Sequence, residues 1–511
     1  MITLCEIKLQ TGESVDRLPA KVEHRLHIPK GSVESVRIVK ESIDSRKKPE
    51  IYRVFNIEIE TSLSDEELKA ICDANKVKYK DADEPKPIVF PVINNAKTRP
   101  VVAGFGPCGM FAALALSKMG LKPIVIERGL SMDERVAAVD AFWNGGKLNP
   151  KANVQFGEGG AGTFSDGKLT TGTKSPFNRF VLETFVDAGA SPSILFKQKP
   201  HIGTDVLRNV VVNIRKMIEE LGGEVFFDSK LESLEIDGDK LVGIKLEDGK
   251  EIKTDALILA LGHSARDTIR TLFAQGLKME QKQFSMGVRI EHPQEMVDIS
   301  QYGQKHESLG IGPADYKLNV KTKKGRGVYT FCMCPGGFVV NASSFEGMVV
   351  TNGMSNSNRG SGTANSGYLC DVYTSDFESD SPLAGVEFQE KYERLAFEVG
   401  GSNYSLPKET VIEFKTNSKL KKCLPDFVYE SLKEALPLMN HKMAGFDRDD
   451  ALMTGVETRS SSPVRILRDE NLETIGIHGI YPAGEGAGYA GGIMSAATDG
   501  IRVAMKVAEN E

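Results

Sequence analysis

The sequence predicts an α/β fold: a parallel-sheet domain assembled from separated segments, with an inserted α+β domain and a small N-terminal α+β domain. Three observations predict it. An apolar strand, a glycine turn and a helix follow one another within 99–128. A series of short strands punctuated by Asp237-Gly238-Asp239 and Asp248-Gly249 reads as a β-meander, and it leads into Ala256–Leu261, a continuous apolar run suited to a buried parallel strand. After Gly479 the chain returns to a glycine-rich turn and a terminal helix.

Residues 1–80 form the N-terminal unit. Val33–Val39 and Ile51–Ile59 read as strands, and Ser64–Asn75 as a helix with Ser64 and Glu67 spaced for a capping box. Arg46-Lys47-Lys48-Pro49 is a charged turn whose plain reading is a solvated loop. The acidic, proline-rich stretch Asp81–Pro87 marks a linker, 81–98. The parallel-sheet domain then occupies 99–284 and 441–511, including an amphipathic helix from Thr204 to Leu221, and the insert occupies 285–440. The insert is rich in Gly, Ser and Asn, with β-type runs at Val328–Met333 and Phe338–Asn341 and a helix near Phe388–Val399.

Composition bounds the function. A chain of 511 residues calls for two or three cores. A net charge of −6 offers no general attraction to nucleic acid or an anionic membrane. Met1–Glu6 is not a basic segment followed by an apolar one, and no apolar stretch approaches the roughly 20 residues a bilayer demands. Seven scattered cysteines suit a reducing compartment, so a cytoplasmic protein is expected.

Four motifs carry chemistry. In the first, Gly104-Phe105-Gly106-Pro107-Cys108-Gly109 follows Val101-Val102-Ala103 and opens a helix. Gly104 permits the tight turn, Gly106 lets backbone approach a diphosphate, and Gly109 lets the helix pack closely. Pro107 is tolerated in a first turn, whose free N–H groups and dipole favour phosphate. The next strand ends at Glu127, 23 positions after Gly104, where a carboxylate meets ribose hydroxyls and repels a 2′-phosphate; Arg128 follows it.

The second motif runs from Gln155 to Lys168. Gly157, Gly159, Gly160 and Gly162, with Thr163, expose backbone amides where a flat ring or a diphosphate can pass. The third, Ala260-Leu261-Gly262-His263, returns small residues toward the same ligand, with His263 read first as a satisfied loop histidine. The fourth, Gly479–Met494, brings Gly484, Glu485, Gly492 and Ile493 to the start of the last helix.

These segments resemble, in order, the motifs of the FAD-dependent oxidoreductase superfamily with the glutathione-reductase-type flavin fold, and most closely a bacterial family of uncharacterised FAD-dependent dehydrogenases. Phe156–Leu169, Cys332-Met333-Cys334-Pro335-Gly336-Gly337 and Pro482–Gly492 carry the likeness to that family, over nearly the whole chain. The resemblance implies a Rossmann-like FAD/NAD(P)-binding domain, FAD as cofactor, and transfer of hydride or two electrons between flavin and a small-molecule substrate. Lys168 would then face the flavin N1–O2 edge and Glu485 the ribityl chain. Glu485 stands where aspartate is common in the superfamily. No CxxxxC follows the first helix, so the flavin-adjacent disulfide of the disulfide reductases is missing. No second GxGxxG has strand and helix around it, so NAD(P)H or a protein electron partner would bind only transiently.

In the insert, Cys332, Cys334, His292 and Arg289 are the catalytic candidates, with Asn341, Asn352, Ser355 and Arg359 as further polar groups for an anionic or carbonyl-bearing substrate. On a regular strand Cys332 and Cys334 share one face about 7 Å apart, too far for a disulfide without a bend. Two cysteines without companion ligands give no metal site. Two other readings stay open: a thiol-linked reductase using Cys332 and Cys334, and a non-catalytic flavin-binding or RNA-associated protein with 1–80 as its binding module.

Overall fold

The computed structural model describes residues 1–82, 87–93 and 98–510. The linker expected at 81–98 lies partly outside these residues. Residues 1–82 alternate strand, helix, two strands, helix, strand, with the sheet order Ser35–Lys47, Glu50–Glu60, Ile2–Gln10, Tyr79–Asp81. That is a ferredoxin-like arrangement. Helix Asp65–Ala74 carries the capping box, with Glu67 N–H donating to Ser64 Oγ and Ser64 N–H donating to Glu67. The unit is docked: Glu41 N–H donates to Phe196 O at 2.8 Å, Gln198 N–H to Glu41 O at 2.9 Å, and Lys48 Nζ to Ser300 O. Lys48 of the charged turn is therefore an anchor, and Arg46 is paired with Asp44.

The central sheet is parallel throughout, in the order Ile480–Pro482, Leu257–Leu259, Val101–Ala103, Ile124–Ile126, Glu224–Phe226. The strands are short and mostly buried on both faces, as a sheet covered on both sides requires. Helices Pro107–Lys118, Thr204–Glu220 and Ile493–Asn510 cover one face. The meander Leu231–Asp237, Lys240–Leu246, Glu251–Lys253 covers the other.

The insert is a six-stranded antiparallel sheet in the order Asn319–Lys321, Gly327–Cys334, Thr363–Val372, Phe284–Pro293, Leu452–Glu457, Lys408–Thr410. Helices including Gln294–Tyr302 and Asp426–Lys442 pack on it around a second core. Strand Leu452–Glu457 pairs with Phe284–Pro293, so the boundary expected at 440 moves beyond Glu457. Met279–Gln281 and Val464–Ile466 pair where the chain leaves and re-enters the parallel-sheet unit.

The two units are clamped by a buried ionic cluster. Glu393, on helix Ala384–Val399, accepts from Arg266 at 2.8 and 2.9 Å and from Arg459 at 2.7 and 3.0 Å. Arg459 also donates to Ser264 and Ser344 hydroxyls. Burial opposes the Glu393 charge, but the two guanidinium groups outweigh it and hold the carboxyl well below the usual carboxylate range.

Candidate functional site

Strand Val101–Ala103 delivers Gly104 at φ 107°, where a Cβ would stand 2.5 Å from Ala260 O. Glycine is required there. Helix Pro107–Lys118 begins at Gly106 without a side-chain cap, which leaves its first-turn N–H groups to a ligand. A Cβ on Gly109 would fall 1.9 Å from Gly104 O, so the third glycine serves helix-to-turn contact. Gly104, Gly106, Pro107 and Cys108 open onto one continuous cavity of about 690 Å³, within the size range of cofactor and small-ligand sites.

The C-terminal motif closes on the same turn. A Cβ on Gly484 would lie 2.8 Å from the Cys108 Cβ, and Gly484 N–H donates to Asp499 at 2.9 Å. Glu485, Gly492 and Ile493 line the cavity, as do Ala260, Gly262 and His263 of the third motif. His263 Nδ1 lies 3.3 Å from Glu485 Oε1, and its buried Nε2 has no hydrogen-bond partner among the described residues. From the second motif Gly160, Gly162 and Lys168 line the cavity; Gly157, Gly159 and Thr163 stand behind it.

Glu127 is buried and reaches the cavity, but its carboxylate already accepts three backbone N–H groups: Phe105 at 2.9 Å, Gly129 at 2.8 Å and Gly157 at 3.1 Å. A carboxylate has about four acceptor positions, which leaves one for a ribose hydroxyl. Arg128 stacks over Phe156 at 4.1 Å and pairs with Asp267 at 2.7 and 3.0 Å. Burial works against the Asp267 charge, yet Arg128 and Lys230 bring its pKa down to about 2.

Sequence reasoning passed over Arg135. It is fully buried on helix Met132–Trp143 and donates to four loop carbonyls: Asn153 and Val154 at 2.9 Å, Gly157 at 3.3 Å and Glu158 at 2.6 Å. Burial lowers its pKa to about 9. A loop of glycines would otherwise be floppy; this side chain fixes its path.

The far end of the cavity belongs to the insert. Cys332, Asn352, Arg359 and Glu457 line it together with Asp166 and Lys168. Arg359 grips Asp166 at 2.6 and 3.0 Å, and Lys168 Nζ lies 3.1 Å from the same carboxylate. Burial opposes charge on Lys168, but the two neighbouring cysteines and Asp166 outweigh it and raise its pKa. Arg289 lies behind this wall, fully buried. It is bidentate to Glu457 and donates to Cys332 O at 3.0 Å, Asn365 at 3.0 Å and Asn352 at 3.3 Å. It positions the wall and does not line it. Cys334, too, is fully buried behind Cys332. His292 is elsewhere, packed among Tyr316 and Phe446 with Nε2 on Phe446 O at 2.8 Å, and burial lowers its pKa to about 4. Asn341 and Ser355 also lie off the cavity.

Residues 283–419 and 415–460 match the C-terminal-domain model of the FAD-dependent proteins, and residues 1–60 match a domain of unknown function. An uncharacterised protein of Clostridium beijerinckii is 45% identical over 99% of this chain and 98% of its own. The chain belongs to this family of FAD-dependent proteins. Its cofactor is FAD. Among solved structures, the chain is similar to the FAD-complexed glycerol-3-phosphate dehydrogenase of Bacillus halodurans, at 14% identity and TM-score 0.38 over 81% of this chain and 65% of that one. It is similar also to glycine oxidase of Bacillus cereus, at 10% identity and TM-score 0.37 over 81% and 96%. Both likenesses are too distant to bear on the reaction.

The residues of this FAD-dependent protein fit the cofactor. Gly262, Gly491 and Gly492 all line the cavity, yet a Cβ on any of them would meet no protein atom within 4 Å. The protein's own packing leaves those positions bare, as a cradle for a bound group requires. Gly104, Gly106 and the helix start would hold the diphosphate, Glu127 and Arg128 the adenosine side, and Lys168, Glu485 and Gly492 the flavin side.

Proposed function

We propose that this protein is an FAD-dependent dehydrogenase that moves a hydride or two electrons between flavin and a small organic substrate at the insert end of the cavity. The observation that supports the reading is the continuity of that cavity, from the glycine turn at Gly104 to Cys332, Asn352 and Arg359. FAD, when bound, supplies hydride exchange at its N5 position. The chain supplies binding and orientation: Asn352 offers an amide and Lys168 a held positive charge, while Arg359 is committed to Asp166. Electrons reach or leave the flavin through a transient partner, NAD(P)H or a protein. Seven cysteines that are free suit a reducing compartment, the cytoplasm. Among the described residues no helix is long and apolar enough to cross a membrane.

The test begins with the purified protein. It is expected to be yellow, to release about one FAD per chain on heating, and to bleach anaerobically with one of a panel of NADH, NADPH, hydroxy acids and amino acids. A colourless protein that ignores added FAD refutes the cofactor site. A flavin that none of the panel reduces, and that neither passes electrons to dyes after photoreduction, refutes the dehydrogenase reading.

A further inference from the structure

Cysteines at i and i+2 on a regular strand stand about 7 Å apart, beyond easy bridging. The strand Gly327–Cys334 is not regular at this point. Phe331 pairs with Gly367 and Cys334 with Asn365, so one extra residue is bulged out between them. Cys332 takes up the bulge with φ 42°, a left-handed conformation that a non-glycine residue holds only where its surroundings impose it. Here Arg289 imposes it, with Nη1 on Cys332 O at 3.0 Å and the guanidinium itself locked by Glu457. The Cys334 thiol donates to the same carbonyl at 3.3 Å. The backbone is thereby bent at the cysteine itself, ahead of Pro335-Gly336-Gly337.

The two sulfurs have different access. Cys332 is partly exposed and lines the cavity, whereas Cys334 is buried behind it. Asp166, Lys168 and Arg359 stand on the same stretch of wall. A reachable thiol backed by a buried one beside a fixed lysine is the layout of an attacking and a resolving pair.

We propose that Cys332 and Cys334 are a redox-active dithiol–disulfide pair facing the flavin end of the cavity, with Cys332 the reacting thiol and Cys334 the resolving one. The inference rests on the placement of FAD in this cavity. The exchange balances: the Cys332 thiolate and Cys334 thiol form an S–S bond, two electrons and the thiol proton pass to oxidised FAD, and reduced anionic flavin results. The reverse step reopens the disulfide. Thiol acidity agrees with the geometry. Interaction with Cys334 brings the Cys332 thiol well below its ordinary range against the effect of burial, helped by Lys168 and Arg289. Burial instead pushes Cys72 and Cys370 up to about 11 and Cys423 up to about 12.

The experiment counts electrons and thiols in the oxidised holoprotein. Anaerobic dithionite titration is expected to consume four electrons per FAD in the wild type, and two in Cys332→Ser, Cys334→Ser and Cys334→Ala, since disulfide and flavin are each two-electron centres. Alkylation in denaturant followed by intact mass is expected to add seven groups to the fully reduced chain, its full complement of cysteines, and two fewer to the oxidised one, with the 332–334 bridge found in a peptide. Two electrons per FAD with all seven thiols alkylated overturns the proposal. If the protein carries no FAD, the cofactor placement fails on its own. The thiol count after diamide treatment of that protein then decides the pair: loss of two thiols at 332 and 334 keeps it, and no loss overturns it.

Discussion

Replacing Gly106 and Gly109 by alanine, one at a time, separates ligand binding from packing within a single turn. At Gly106 the backbone is extended (φ −78°, ψ −176°), and the nearest protein atom to an added Cβ is Gly160 Cα at 3.8 Å. The apoprotein accommodates that methyl, and its stability should change by no more than about 1 kcal/mol. In the proposed cofactor placement the methyl enters the space of the diphosphate, since Gly106 lines the cavity. Overpacking of about 1–3 kcal/mol weakens FAD binding by roughly 5- to 150-fold. At Gly109 the added Cβ lies 1.9 Å from Gly104 O, a backbone atom that cannot swing aside. The turn or the helix must move, and the apoprotein should lose about 1–3 kcal/mol or more, a fall of roughly 1–2 °C in Tm per kcal/mol for a chain of this size. Thermal unfolding of the apoproteins and titration with FAD by flavin fluorescence quenching read the two effects separately. Wild-type FAD affinity in Gly106→Ala, or wild-type Tm in Gly109→Ala, would refute the division of roles.

Glu393→Gln leaves Arg266 and Arg459 buried without their shared carboxylate and should cost about 3–5 kcal/mol, seen as a lower urea midpoint; an unchanged midpoint would mean the clamp holds nothing. Arg135→Met orphans four loop carbonyls at about 1–3 kcal/mol for each one left dry, so residues 153–158 should become protease-sensitive and FAD affinity should drop. His292 sets an acid limit. Its folded pKa of about 4 lies below its ordinary 6.5, so between those values the unfolded chain binds a proton that the folded one refuses. Its contribution is complete above pH 6.5 and lost as pH falls to about 4, by at most about 3 kcal/mol. His292→Gln should flatten that part of the stability–pH curve, and a curve of unchanged slope would rule the histidine out.

How much of this was legible in the sequence depends on the range of each signal. The turn at Gly104, the acidic end of its second strand, the meander and the closing helix Ile493–Asn510 are local patterns, each with its own periodicity and glycine punctuation. The wall behind the cavity is non-local. Arg289 reads as a polar substrate group because nothing nearby in sequence reveals Glu457, 168 positions on, as its partner. Arg135 is one arginine in a helix with no clear apolar face, and only the fold brings four loop carbonyls to it. Strand Leu452–Glu457 could not be assigned to the insert from composition, since its register with Phe284–Pro293 is a tertiary fact. A signal was available for the clamp: Gln389, Glu390 and Glu393 crowd one face of helix Ala384–Val399, and three polar residues turned inward there need partners.

The contact of Gly484 with Cys108, and of helix Ile493–Asn510 with helix Pro107–Lys118, sets an order of events during synthesis. A ribosome-bound chain that has emerged only as far as the insert has half a cradle: the phosphate turn stands ready while the opposite wall is still untranslated. If the cavity holds flavin as proposed, loading waits until Gly484 and helix Ile493–Asn510 have emerged, and a nonsense product cut before Gly484 would leave the ribosome folded in part and without that wall of the cradle.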